Sequence, residues 1–222
     1  TSNKYVVSTL GHLSFIAQNT NFWDYNYIQT ADIDATVTKY WDDMDDTGGA
    51  TGDKYNDDND ATPTGNNEGF LPIGNVSTNF TGEYDGGGYS ISGLTIKRTT
   101  TDDSGKYIGL FGYTKGATIR NLGVTNDNIT GNEWVGSLVG IAKNTTIDNC
   151  SASGIVASTD LTGGLVGYLF CSVSSSCTNS ILRNSYSTTS VVQVSGGSGR
   201  TGGLVGFIYN TTILNSYSTG SV

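Results

Sequence analysis

A glycine-bracketed leucine recurs through the second half of this 222-residue chain and limits its fold more than any other feature. The copies are Gly109-Leu110-Phe111-Gly112, Gly136-Ser137-Leu138-Val139-Gly140, Gly163-Gly164-Leu165-Val166-Gly167 and Gly202-Gly203-Leu204-Val205-Gly206. Each is followed by aliphatic-x-Asn: Ile119-Arg120-Asn121, Ile147-Asp148-Asn149, Leu182-Arg183-Asn184 and Ile213-Leu214-Asn215. Successive leucines are 28, 27 and 39 residues apart. A period of this length marks stacked supersecondary units, none of which buries its apolar face alone.

The residues between the motifs select strands over helices. Helical repeats need apolar residues at 3.6 spacing and few interior glycines, whereas this chain holds 31 Gly and only 2 Pro. The runs between glycines are short and rich in β-branched and aromatic residues, as in Ser185-Tyr186-Ser187-Thr188 and Ser216-Tyr217-Ser218-Thr219, which reads as strands between tight turns. One unit of about 27 residues holds roughly three strands of 4–6 residues plus corners. Stacked in register, such units give parallel sheets at the usual spacing of ~4.8 Å. The expected fold is all-β, a parallel β-solenoid (β-helix).

Column positions follow from that register. Leu110, Leu138, Leu165 and Leu204 should form one internal row. Asn121, Asn149, Asn184 and Asn215 should form a corner ladder whose amides satisfy backbone groups of adjacent coils. The next position, Leu122, Cys150, Ser185 and Ser216, is small or apolar, as an inward site requires. Val156, Val191 and Val222 lie seven residues after their asparagines and are expected to end strands, whereas Ile129 lies eight after Asn121. The motif glycines should serve corners that need positive φ or close backbone approach.

At these residues the chain resembles the GLUG-motif repeat family of bacterial surface and adhesin-like proteins. Upstream, Tyr27–Asp34, Phe70–Asn75 and Phe80–Ile96 resemble the segment that precedes such repeats. The resemblance implies a right-handed solenoid and an extracellular, cell-surface location. It implies little about activity, because one fold hosts many functions. A single domain over residues 1–222 is expected: a cap at 1–20, leading coils at 21–106, and four GLUG-like repeats at 107–222 with the last open-ended. That open end implies either a piece of a longer array or a docking face for another subunit. Ser8 is the expected N-cap of a short capping helix with Leu10, Leu13, Ile16 and Ala17 on one face.

Charge narrows the partners. A net charge of −9, with 11 scattered Lys and Arg, argues against nucleic acid, whose phosphates need clustered cations. No apolar run of 18 residues is present for membrane insertion, and no signal-peptide pattern is visible, so Thr1 is expected to be a processed start. Cys171 and Cys177 flank five residues inside the longest repeat, which predicts a disulfide closing a polar excursion. Cys150 reads as a buried apolar filler. An insert at about 36–66 carries Asp43, Asp45, Asp57, Asn59 and Asp60, which read either as oxygen ligands for calcium or as a solvated acidic loop. Lys54 stands where an EF-hand would place its twelfth-position Glu.

No catalytic set emerges. His12 is the only histidine, and the zinc-protease and phosphate-loop patterns are absent. Asp127, Glu133, Asp148 and Asp160 do not share a column, which disfavours a carbohydrate-active enzyme. Two aromatic columns, Tyr113/Ile141/Tyr168/Phe207 and Tyr186/Tyr217, either pack inward or make an outward sugar- or protein-binding stripe. The expected role is a non-enzymatic adhesin-like scaffold contacting a glycan or protein. Head-to-tail self-association into a structural filament is the alternative.

Overall fold

The structure is a computed structural model and describes residues 4–41, 68–172, 180–194 and 199–222. The second repeat shows how each unit is laid out. Its strands are Glu133–Gly136, Val139–Lys143, Thr146–Asp148 and Ser151–Ser158. That is four strands rather than the expected three, because the glycine corner divides a run that composition alone leaves whole. Each strand pairs in parallel with its counterpart in the neighbouring repeats.

Four sheets result. Sheet 1 runs Tyr5–Val7, Tyr27–Gln29, Glu83–Asp85, Thr118–Arg120, Thr146–Asp148, Ile181–Arg183 and Thr212–Leu214. Sheet 2 is built on the long strands Gly123–Gly131 and Ser151–Ser158. Sheet 3 is narrow, joining Lys106–Ile108, Glu133–Gly136, Thr162–Gly163 and Thr201–Gly202. Sheet 4 joins Phe111–Lys115, Val139–Lys143, Val166–Phe170 and Val205–Tyr209. The leading segment uses the same sheets, since Tyr84 is in register with Ile119 and Ile91 with Val124.

At the glycine corner, sheets 3 and 4 meet backbone to backbone. None of the bracketing glycines has positive φ; of the two expected reasons for glycine, close approach is the one that applies. A Cβ on Gly140 would lie 2.6 Å from Ile108 N and Tyr107 C, and one on Gly167 2.7 Å from Trp134 C and Val135 N. The second glycine of the second, third and fourth motifs is thus pressed against the sheet 3 strand of the preceding repeat. The leucine between the glycines points inward: Leu110, Leu138 and Leu165 are fully buried, and Leu204 is partly so.

The asparagine corner works differently. Asn121, Asn149, Asn184 and Asn215 have φ of 53°, 52°, 52° and 48°, left-handed backbone that Asn tolerates better than other chiral residues. Their side-chain amides bond to side chains, and not to backbone as expected. Asn149 Nδ2 donates to Asn121 Oδ1 at 2.9 Å and Asn215 Nδ2 to Asn184 Oδ1 at 3.3 Å. The ladder starts at Asp85, which accepts from Asn121 Nδ2 at 3.0 Å, and is interrupted at Asp148, which accepts from Asn184 at 2.9 Å. Backbone amides supply the remaining cross-repeat bonds, such as Asn149 N to Arg183 O at 3.1 Å.

The extra residue between Asn121 and Ile129 forms a bulge. Val124 pairs with Ala152 but Asp127 with Gly154, leaving Asn126 at φ 53° opposite a shortened partner. Ile129, Val156 and Val191 then stack inward in register. Val156 and Val191 sit within strands rather than at their ends, and Val222 is exposed and outside any strand.

The core changes character along the stack. At the leading end it is aromatic, with Phe80 and Tyr84 ring centroids 5.0 and 5.5 Å from Phe111. Deeper in the repeats, valine, leucine and isoleucine replace the rings. The helix Leu10–Gln18 adds Leu13, Ile16 and Ala17 to the same core. Its N-cap is Thr9 rather than Ser8, because the Thr9 hydroxyl accepts from His12 N at 3.2 Å. Thr36–Tyr40, placed by sequence at the start of the insert, is a 3-10 turn with Thr38 buried and accepting Thr95 N at 2.9 Å.

Four substitutions test these corners. Gly140→Ala should prevent folding or remove more than ~3 kcal/mol, because backbone atoms cannot swing aside. Gly116→Ala meets no atom within 4 Å and should show only the left-handed penalty of about 1–2 kcal/mol. Asn149→Ala should lose about 2–3 kcal/mol from backbone and ladder together, and Asn149→Gly about half that. Urea unfolding followed by circular dichroism reads all four.

Candidate functional site

Three outward features distinguish this surface from a plain repeat. The first is a charge ladder on sheet 1. The residue before each corner asparagine places Arg120, Asp148 and Arg183 in register, with Asp85 ahead of Arg120. Arg120 Nη2 lies 2.8 Å from Asp85 Oδ2, and Arg183 Nη2 lies 2.8 Å from Asp148 Oδ2. Lys4 adds contacts to Glu83 at 2.8 Å and Asp85 at 3.3 Å. Burial pushes these carboxyls up, but their cation and amide partners hold Glu83, Asp85 and Asp148 below the usual range. The signal in the sequence is the variable position of aliphatic-x-Asn, which reads Arg120, Asp148, Arg183 and then Leu214.

The second feature is a groove on sheet 2. Gly123 and Ser151 are small residues in the column that becomes Tyr186 and Tyr217. Their size leaves a groove of about 290 Å³, lined among others by Tyr89, Tyr186, Asp32, Asn121 and Asn149. Tyr186 and Tyr217 stack outward with centroids 5.4 Å apart and planes 8° from parallel. The inward alternative for this column is therefore excluded.

The third feature is the outer face of sheet 4. Tyr113, Ile141, Tyr168 and Phe207 are in register, and Ile141 is the one member that is buried. Tyr168 lies 4.6 Å from Phe170 and 5.2 Å from Phe207, centroid to centroid. At the sheet 3 corner, Tyr107 stacks on Trp134 at 4.9 Å and contacts Tyr113 at 5.7 Å.

The expected ligand and disulfide residues fare unevenly. Asp43, Asp45, Asp57, Asn59 and Asp60 lie outside the described residues, as does Cys177. Cys171 is buried and disulfide-bonded. Cys150 is free and buried in the inward column, its thiol pushed up to about 12 by burial. His12 is exposed on the helix, its Nδ1 accepting from Ser8 N at 3.2 Å. The four acidic residues of the repeats do not converge. Glu133 pairs with Lys106, Asp148 with Arg183, and Asp160 accepts from Leu161 N.

Asp127 is the exception that the sequence did not mark. The bulge turns it inward, where it is 3% exposed, and neither carboxylate oxygen has a well-formed hydrogen bond. Gly154, at φ 138°, makes the room: a Cβ there would lie 2.4 Å from Asp127 Oδ1. Burial pushes the Asp127 carboxyl up to about 8, moderated by the nearby Ser137 hydroxyl and Ile155 amide.

The geometry defines an all-β repeat protein with parallel sheets and, among the described residues, one α-helix. The family profile described as the GLUG motif matches residues 131–157 and 197–222, which fall on the second and fourth copies of the repeat. Halomucin of Haloquadratum walsbyi is 30% identical over 169 residues, covering 73% of this chain and 2% of that protein. A putative Gly-rich membrane protein of Evansella cellulosilytica is 44% identical over 63 residues, 28% of this chain and 7% of that protein. The chain therefore spans a small part of the length of these relatives. No solved structure matches it.

Asp127 should give stability an unusual pH dependence. Its folded pKa is raised, so the native state holds a proton that the unfolded state releases. Stability should fall as pH rises from about 4 to 8, by at most ~1.4 kcal/mol per pH unit. The opposite contribution of Glu83, Asp85 and Asp148 is complete above the ordinary carboxylate range and is lost in acid below it. Asp127→Asn should flatten the pH 4–8 limb and leave the acid limb intact, as read by denaturation midpoints across pH.

Proposed function

We propose that this chain is a right-handed parallel β-solenoid module of an extracellular surface protein, acting as a stiff, non-enzymatic, adhesive scaffold. The observation that carries this reading is the register of outward aromatic rings on two faces of the stack. Tyr186 and Tyr217 stand on sheet 2, and Tyr113, Tyr168 and Phe207 stand on sheet 4. Exposed rings on a rigid sheet hold a sugar or protein surface at little entropic cost. Surface association is supported by the GLUG motif, and by a relative described as a membrane protein. Adhesion without turnover is supported by the engagement of Glu133, Asp148 and Asp160 in separate local contacts.

Stiffness follows from the ladders. The repeats are tied together through the sheets, and the amide and charge contacts of Asp85, Arg120, Asn121, Asp148, Asn149, Arg183 and Asn184 add to them. Calcium in the acidic insert remains part of the proposal, with Asp43, Asp45, Asp57, Asn59 and Asp60 as its oxygen donors.

Residues 1–222 should behave as a monomeric rod in light scattering and negative-stain microscopy, with and without calcium. On a glycan array they should bind saturably and leave the glycans uncleaved. Filaments growing end to end would make self-assembly the primary role, and release of sugar fragments would make the chain an enzyme.

A further inference from the structure

The outer face of sheet 4 departs from the rest of the molecule in charge as well as in ring content. The chain carries 20 Asp and Glu against 11 Lys and Arg, yet none of the four strands of this sheet contains an acidic residue. Two columns face outward. One is Tyr113, Ile141, Tyr168 and Phe207; the other is Lys115, Lys143, Phe170 and Tyr209.

Lys115 and Lys143 are direct register partners. Like charges placed opposite each other on adjacent strands are destabilising, and neither lysine forms a salt bridge among the described residues. Two of the cations here lie over rings. Lys143 Nζ is 5.6 Å from the Phe170 centroid, and the Arg200 guanidinium carbon is 4.5 Å from that of Phe207. Elsewhere, Lys4, Arg98, Lys106, Arg120 and Arg183 each meet a carboxylate, whereas Lys39 and Lys97 stand apart from each other and form no salt bridge among the described residues. The carboxylates sensed at this face, Asp103 and Glu133, act at its Tyr107 edge, and Glu133 is paired with Lys106.

That edge is also strained. Tyr107 and Trp134 have φ of 59° and 55°, left-handed backbone that is an outlier for bulky side chains. Their stacked rings, 17° from parallel, extend the aromatic surface from sheet 4 onto the corner. Strain of this kind persists where the surrounding structure fixes it, and concentrates at ligand-contacting sites.

We propose that this face binds an anionic polysaccharide laid across the strands. Its sugar rings stack on Tyr113, Tyr168 and Phe207, while Lys115, Lys143 and Arg200 pair with its carboxylate or sulfate groups. The proposal deepens the adhesive reading above and rests on it. Charge complementarity commits the face to an acidic ligand: cations set among rings on an otherwise acidic protein attract an anion, whereas the same face of a second copy would set cation against cation.

The test is calorimetric titration of residues 1–222 with three polymers. Polygalacturonate carries carboxylates, dextran sulfate carries sulfates, and dextran carries neither. At least one anionic polymer should bind and dextran should not, with affinity falling roughly tenfold or more as added salt screens the contacts. The double variant K115E/K143E should weaken binding roughly tenfold, and Tyr168→Ala should weaken it severalfold. The double variant K39E/K97E, which makes the same charge change at exposed positions elsewhere, should bind as the unmodified chain does. Circular dichroism confirms the fold of each variant.

Equal weakening by K39E/K97E would overturn the proposal by reducing the effect to net charge. Equal binding of dextran, or unchanged binding in K115E/K143E, would also overturn it while leaving adhesion to act elsewhere on the stack. No binding of any polymer would overturn it too. A blank glycan array in addition would end the adhesive reading itself.

Discussion

Backbone packed directly on backbone at the motif glycines is the contact that the other three corners and all four sheets depend on. Gly140 lies against Tyr107 and Ile108 of the preceding repeat, and Gly167 lies against Trp134 and Val135 in the same way. Because no side chain intervenes, the distance between successive repeats is set there by main-chain atoms alone. That fixed spacing lets Leu110, Leu138 and Leu165 stack as one buried row. It also brings Asn149 within 2.9 Å of Asn121 at the opposite corner. A glycine replaced at one corner would therefore disturb register at every other corner of the same repeat, since one-residue slips move side chains between faces.

Register was legible in the sequence to an unusual degree, and the reason is physical. Parallel stacking makes residue type at one column depend on the same column in the next repeat, so Leu138, Asn149 and Val156 could be aligned with their counterparts by spacing alone. Even the bulge at Asn126 was visible as the extra residue before Ile129, although its consequence for Asp127 was not. Which way a column faces is set by corners, and corner geometry is not periodic. Hence the aromatic columns stayed ambiguous until Tyr186 and Tyr217 were found stacked outward. The sharing of one glycine corner between two sheets was likewise invisible in composition. The acidic insert at about 36–66 and the residues from Cys171 to Cys177 interrupt the repeat in sequence, so periodicity carries no information about them.

The two kinds of polar column solve different problems. Asp85, Arg120, Asp148 and Arg183 alternate in sign, and Asp85 and Asp148 are each matched to a neighbouring cation, which leaves little net field outside sheet 1. The asparagine ladder beside them does the same for amide donors and acceptors. These columns hold adjacent repeats together, and their residues are consumed by that task. Exposed pairs of this type contribute little singly, but the repeats share them, so each side chain ordered by one contact is already placed for the next.

Sheet 4 follows the opposite logic. Its backbone is already positioned by the glycine corner on one side and by the left-handed turn at Gly116, Asn144 and Asn210 on the other. Its outward side chains are therefore not required to hold register, and they can carry combinations that a register column would not tolerate, such as Lys115 beside Lys143. A repeat fold of this kind separates the residues that specify architecture from those that vary without structural cost. The first group occupies the inward rows and the asparagine corner, where Leu165 and Asn184 are fixed by their neighbours above and below. The second group is where ligand chemistry can accumulate, and on sheet 4 it combines Tyr113, Tyr168 and Phe207 with two lysines in direct register.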